Sequence, residues 1–379
     1  MAQPWRALFR WSVVLATMCV VPHLWSARHA DAWFDGDAET EERLARGVDH
    51  WTEARTSPRI VSGHSVIDGE WAFATYQMAA LGDAQMALEH PETRARNIER
   101  IHTCLKKLLT PHLRAFDTKL WGEDALASLD GDHGHAGYLG YLNLSLSYAR
   151  VIEPDGPYAA LNDRITAALV RRLERARTLM VETYPGEVYP PDNTAVVGSI
   201  GLYDRATGAD HSALLRRWTN RVRRDYRDPK TGLLYQHLRT DGRPDAPGRG
   251  SGTTLGVYFL SFLNDPISEE LWAAATRELD DPLAGFGAER EYRTGMAGRG
   301  DVDSGPLILS RSPVATGFAL AGARLHRDRE RFRHLFATSE LFGAPTEVGE
   351  RQNYVYGGPV GDAILFAMLT ALPPSRIHQ

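Results

Sequence analysis

The chain alternates between two kinds of helical segment. Those near residues 71–81, 136–151, 193–203, 253–263, 313–324 and 360–372 are apolar around most of their circumference. That pattern predicts helices buried on more than one side. Those near residues 40–56, 93–109, 162–183, 212–224, 268–279 and 327–339 are amphipathic, several with arginines along the wet face. Their apolar positions recur at helical spacing, as Leu44, Val48 and Trp51 do. Six inner and six outer helices in strict alternation bury a continuous core when each outer helix backs an inner one. Closing the six pairs gives an all-α double ring with a few short strands in its loops. One such hairpin is expected at residues 226–237, turned at 228–232. Ser57-Pro58 stops the first outer helix, and residues 62–69 read as a polar loop.

The N-terminus departs from this rhythm. Arg6 and Arg10 precede an apolar run over residues 11–21, which Pro22 and His23 interrupt. This resembles a secretory signal, and Ala30-Asp31-Ala32 offers a small-x-small cleavage site. Residues 1–32 are therefore expected to be a signal peptide or an N-terminal membrane anchor over residues 8–25. Residues 33–379 are expected to form a single catalytic domain, exported to the periplasm or beyond the cell.

Composition narrows the picture further. The chain is 43% hydrophobic, with 9 Trp, 14 Tyr and 12 Phe, which supports a sizeable core. A formal charge of −5 gives no nucleic-acid footprint. Cys19 and Cys104 are too few for a disulfide framework, and Cys104 reads as a core residue.

The candidate chemistry clusters where polar loops lead into apolar helices. Residues 130–141 hold Asp130, Asp132, His133, His135, Tyr138 and Tyr141. Either carboxylate suits a general acid or base tuned by its neighbour, with the imidazoles orienting substrate or moving protons. The competing reading makes the aspartates helix caps. The H-x-H pattern lacks a further ligand at diagnostic spacing, so neither a metal nor a cofactor is expected. Tyr189-Pro190-Pro191-Asp192-Asn193 is a rigid approach that presents Asp192, with Tyr189 and Asn193 able to line a pocket. Asp301, Asp303 and Ser304 form another acidic loop, with Asp303 nearer its helix. Arg249, ahead of Gly250-Ser251-Gly252, suits a carboxylate or hydroxyl group. His64 and Asp68, then Tyr354 and Tyr356, are candidates for the remaining walls.

The six-and-six rhythm over roughly residues 38–372, with acidic, aromatic and His residues at the starts of inner helices, resembles the (α/α)6 toroid superfamily. That superfamily includes six-hairpin glycosidases, polysaccharide lyases, sugar epimerases and linalool dehydratase/isomerase-like enzymes. The resemblance implies a central cavity reached by residues 130–141, 189–193 and 301–306, and a small-molecule or oligosaccharide substrate. It implies chemistry weakly, because one scaffold hosts several reactions. The leading expectation is a glycoside hydrolase pairing Asp132 or Asp130 with Asp192 or Asp303. A lyase or epimerase using His133 or His135 with a tyrosine is its neighbour. A hydratase, dehydratase or isomerase acting on a small apolar alcohol is the second class. A non-catalytic exported glycan-binding protein is the third.

Overall fold

The computed structural model describes residues 4–53 and 64–377. Its helices are α1 (Pro4–Asp35), α2 (Ala38–Thr52), α3 (Ser65–Glu89), α4 (Arg94–Leu108), α5 (Ala115–Trp121), α6 (Tyr141–Ile152) and α7 (Ala159–Arg175). After these come α8 (Pro190–Thr207), α9 (Ser212–Arg221), α10 (Gly250–Leu260), α11 (Ile267–Leu279), α12 (Pro313–Leu325), α13 (Arg329–Gly343) and α14 (Gly358–Leu369). A single π-helical turn, Ala136–Gly140, leads into α6.

The apolar helices form a closed inner ring. Around it α3 touches α6, then follow α8, α10, α12 and α14, and α14 returns to α3. The amphipathic helices lie outside: α4 backs α3 and α6, α7 backs α6 and α8, α11 backs α10, α13 backs α12, and α2 backs α14 and α3. Arg223, just past α9, ties that helix to Asp265 and Glu270 at the head of α11. This is the all-α double ring that the alternating pattern predicts.

Inner helices need close approach, and small residues provide it. A Cβ at Gly198 of α8 would lie 2.6 Å from the Phe259 carbonyl oxygen of α10. One at Gly82 of α3 would lie 2.4 Å from the Phe366 ring of α14. Buried amides complete the layer, as Asn143 Nδ2 donates to Thr166 Oγ1 at 3.0 Å and to Ser199 Oγ at 2.9 Å. Caps set the register of the ring. Asp37 caps α2 by accepting from the Thr40 amide at 2.9 Å, and Ser312 caps α12 just before Pro313.

Two small antiparallel hairpins interrupt the helices: β1 (Tyr235–Leu238) with β2 (Pro244–Gly248), and β3 (Pro345–Val348) with β4 (Arg351–Tyr354). The turn at 228–232 exists, closed by an Arg227–Leu234 bridge, but the main hairpin lies beyond it, pairing β1 with β2. Residues 65–69, expected as loop, are the first turns of α3. The Ser57-Pro58 stop lies outside the described residues.

The N-terminal expectation needs a correction. Residues 8–25 do lie in one helix, but among the described residues no helix is long and apolar enough to cross a membrane. Arg6, Arg10, Ser12, Thr17, Pro22 and His23 dilute the run below what a bilayer core requires. The helix passes unbroken through residue 32, and its last turns dock on α13. Ala30, Trp33 and Phe34 are buried there, and Asp31 pairs with Arg329 and Arg333.

Candidate active site

The N-terminal ends of all six inner helices open onto one cavity of about 520 Å³. α3 contributes Glu70, Trp71 and Gln77; the π-helical turn and α6 contribute Gly137 and Tyr141; α8 contributes Asp192. Ser251 and Leu255 come from α10, Val314 and Phe318 from α12, and Val360 and Ile364 from α14. Loop residues Tyr184, Glu187, Tyr189, Gln236, Val302 and Asp303 close the circle. Most of the remaining wall is aliphatic or aromatic.

Four carboxyl groups line this cavity: Glu70 and Asp192 within it, and Glu187 and Asp303, both exposed, at its edge. Glu70 is pushed up to about 8 by burial, and the charges of Asp192 and Asp303 add to the rise while the Tyr184 phenol opposes it. Asp192 is pushed up to about 6 by burial, opposed by a hydrogen bond in which Tyr141 Oη donates to Oδ1 at 2.7 Å. Asp303 lies at the mouth with its side chain 54% exposed. Its partial enclosure and then Asp301 raise its carboxyl, against the pull of Arg249. Both shifts have burial as their main cause, and Glu70 is raised further than Asp192, so Glu70 holds its proton to higher pH. Environments that drive two carboxyls apart in this way suit one to give a proton and the other to take one.

The wall also carries unmet hydrogen-bonding capacity. Gln77 is buried, and neither polar atom of its amide has a partner among the described residues; Gln236 Oε1 is likewise unpaired. Buried amides of this kind cost free energy unless something fills the site and bonds to them.

The acidic loop over residues 130–135 takes no part in this cavity. Buried Arg172 of α7 donates to the carbonyls of Ser128, Gly131 and Gly134, at 2.8, 3.3 and 3.1 Å, and folds the loop onto the outer layer. Asp130 is exposed, and Asp132 pairs with Arg175 on the outer surface. His133 is exposed beside Glu123, and His135 is buried against Asp117. Tyr138 is buried, its hydroxyl donating to the Leu108 carbonyl at 3.1 Å.

The other candidates divide between wall and scaffold. Asp192, Tyr189 and Asp303 line the cavity. Asn193 lies behind the wall, where its side chain accepts from the Val181 amide at 2.8 Å and donates to the Val181 carbonyl at 3.0 Å. Buried Arg249 is engaged by Asp301, Asp303 and Glu291, so its charge holds the 301–304 loop in place. Ser304 braces the same loop by accepting from the Asp301 amide at 3.0 Å. His64 and Asp68 sit at the N-terminal turn of α3, outside the cavity wall. Tyr354 is buried beneath β4, and Tyr356 stands exposed on the rim next to Gly357.

No family model matches the chain. Among solved structures it is similar to Dfg5 from Chaetomium thermophilum, at 14% identity and a TM-score of 0.53, covering 89% of this chain and 91% of that one. The chain shares the all-α toroid fold of that structure. Weaker likenesses are an unsaturated glucuronyl hydrolase from Streptococcus agalactiae (12% identity, TM-score 0.47, 91% of each chain) and a GH76 α-mannanase from Bacteroides thetaiotaomicron. The latter shows 9% identity and a TM-score of 0.48, covering 90% of this chain and 94% of that one.

On this toroidal scaffold, sequence reasoning reached Asp192, Tyr189 and Asp303 but passed over Glu70, Tyr184, Gln77 and Gln236. Glu70 carried a usable signal. It is the carboxylate that immediately precedes the apolar run of α3, much as Asp192 precedes that of α8. Gln77 lies within the apolar run of that helix and marks the same inward face.

Proposed function

We propose that this protein is a carbohydrate-active enzyme that cleaves a glycosidic C–O bond, with Glu70 as general acid and Asp192 as its partner. The observation that carries the reading is that Glu70 and Asp192 line one cavity, where burial pushes Glu70 up to about 8 and Asp192 to about 6. Glu70 gives its proton to the leaving oxygen as the C–O bond breaks. Asp192 takes the proton of an attacking water, or attacks the carbon itself; its protonated or substituted form then returns to the carboxylate. Tyr141 steadies the carboxylate of Asp192. Trp71, Tyr184 and Tyr189 offer ring faces on which a sugar can stack.

A second reading rests on the largely apolar wall. It favours a hydratase, dehydratase or isomerase acting on a small alcohol with the same acid and base. The unpaired amides of Gln77 and Gln236 weigh toward a polyhydroxylated substrate, because an apolar one leaves them unsatisfied. Dfg5, which shares the fold, was crystallised with glucosamine, and this agrees with the sugar reading. The signal-like N-terminus supports export, where extracellular glycans are found.

The test is a turnover screen of glycosides and small tertiary or allylic alcohols with wild type, Glu70→Gln and Asp192→Asn. Glycoside turnover that falls about 10²–10⁴-fold in each variant is expected. Gln77→Leu should raise KM for the glycoside more than it lowers kcat. Turnover of alcohols alone moves the assignment to the second class, and unchanged turnover in both carboxyl variants removes the proposed acid–base pair.

A further inference from the structure

We propose that Glu123, His133 and His135 bind a divalent transition-metal ion, zinc fitting best, at a site outside the catalytic cavity. The pattern of residues 130–135 supplies two imidazoles and no third ligand of diagnostic spacing. Folding supplies that ligand from ten residues upstream of His133. Glu123 Oε1, His133 Nδ1 and His135 Nε2 all lie within 4.8 Å of one another.

The spacing suits tetrahedral coordination. Bonds of about 2.0 Å place neighbouring ligand atoms about 3.3 Å apart. Glu123 Oε1 is 3.3 Å from His135 Nε2. It is 2.5 Å from His133 Nδ1, so that edge has to open by about 0.8 Å. The movement is easy, since the His133 and Glu123 side chains are 61% and 39% exposed. Two imidazole nitrogens and one carboxylate favour zinc and its transition-metal neighbours over calcium or magnesium. The solvent side leaves a fourth position for water.

His135 is held as a metal-binding histidine is held. Its ring is fully buried, and its Nδ1 lies 2.7 Å from Oδ2 of the equally buried Asp117. A proton held on Nδ1 by that carboxylate leaves the Nε2 lone pair facing Glu123 Oε1. Ser128 Oγ is also 3.3 Å from Nε2, and it lies 3.3 Å from the Ala125 carbonyl as a second acceptor. A cation between Nε2 and the carboxylate removes the repulsion of two electron-rich atoms. Trp121 flanks both imidazoles, with ring centroids 5.3 and 4.6 Å away. The backbone of His135 is left-handed, at φ 52°, a strained state that this set of contacts maintains.

The ion would act as a clamp. Its ligands join the segment after α5 to the turn that starts α6. Leu120 of α5 and Gly137 of that turn are both cavity wall. Metal binding therefore fixes the wall that presents Tyr141, without taking part in the reaction.

The test uses untagged full-length protein stripped with a chelator and titrated calorimetrically with zinc, then with cobalt(II) followed by absorption. One zinc per chain is expected, together with a tetrahedral cobalt spectrum. A hundredfold excess over Kd should raise Tm by about 4 °C. The double variant His133→Ala/Glu123→Ala should lose all three signals while keeping the metal-free Tm, because both side chains reach solvent. Asp117→Asn should weaken zinc binding about 10–100-fold. Equal zinc stoichiometry and affinity in wild type and double variant would overturn the proposal, as would no zinc bound by wild type.

Discussion

Tyr141→Phe isolates the interaction that sets the base. In the wild type the Tyr141 hydroxyl donates to Asp192 Oδ1 at 2.7 Å and holds down a carboxyl that burial alone would push beyond about 6. A hydrogen bond to a charged group contributes about 1.5–3 kcal/mol. At about 1.4 kcal/mol per tenfold, its loss should move Asp192 from about 6 to roughly 7–8. Glu70, at about 8, is mainly protonated at pH 7, so the competent pair makes up roughly four-fifths of wild-type molecules. In the variant that share falls to between about a half and a tenth. The assay is kcat/KM against pH on the best glycoside from the screen. Wild type should give a bell rising near 6 and falling near 8. The variant should give a narrower, lower bell whose acid limb has moved up and whose alkaline limb has stayed. A folded variant whose acid limb remains near 6 would refute the reasoning, because Asp192 would then not be the group that titrates.

Other outcomes follow from the same structure. Glu70→Gln should raise Tm at pH 9 more than at pH 5. The folded carboxyl, at about 8, binds its proton more tightly than the ordinary 4.5, so wild-type stability falls as pH rises through that interval. The full effect is at most about 5 kcal/mol, and a pH-independent Tm difference would count against it. Gly198→Ala pushes a methyl against the Phe259 carbonyl and should cost about 1–3 kcal/mol in denaturant unfolding, with an unchanged midpoint as the contrary result. A chain starting at Ser26 should keep the full-length Tm, whereas one starting at Gly36 loses buried Trp33 and Phe34 and should fall by at least about 3 kcal/mol. Equal melting of the two would mean that the end of α1 adds nothing to the fold.

The ring was legible because the inner helices are apolar around most of their circumference while the outer ones carry a one-sided apolar stripe at a 3.6-residue period, and the two kinds alternate through twelve segments. The site was legible only where a polar residue interrupts such a helix. Asp192 announced itself in this way. Glu70 did so as well, but the start of α3 lies at Ser65 rather than near residue 71, so position 70 read as the edge of a loop. Asp130 and Asp132 misled because spacing carries no record of Arg172, a residue about forty positions away, turning their loop to the outside. Exposed acids in the sequence look the same whether they face a cavity or the bulk. The partner that decides between them is remote along the chain.

The return of α14 onto α3 has a consequence for how the protein is made. Five of the six cavity-forming helices leave the ribosome before residue 358, yet none of them alone encloses the acid and the base. Until the last inner helix docks, the arc stays open on one side, and water reaches Glu70 freely. A nascent or prematurely terminated chain therefore holds both Glu70 and Asp192 while lacking the enclosure that raises their carboxyls. The closed environment around Glu70 and Asp192 is then gained in one step, when α14 docks.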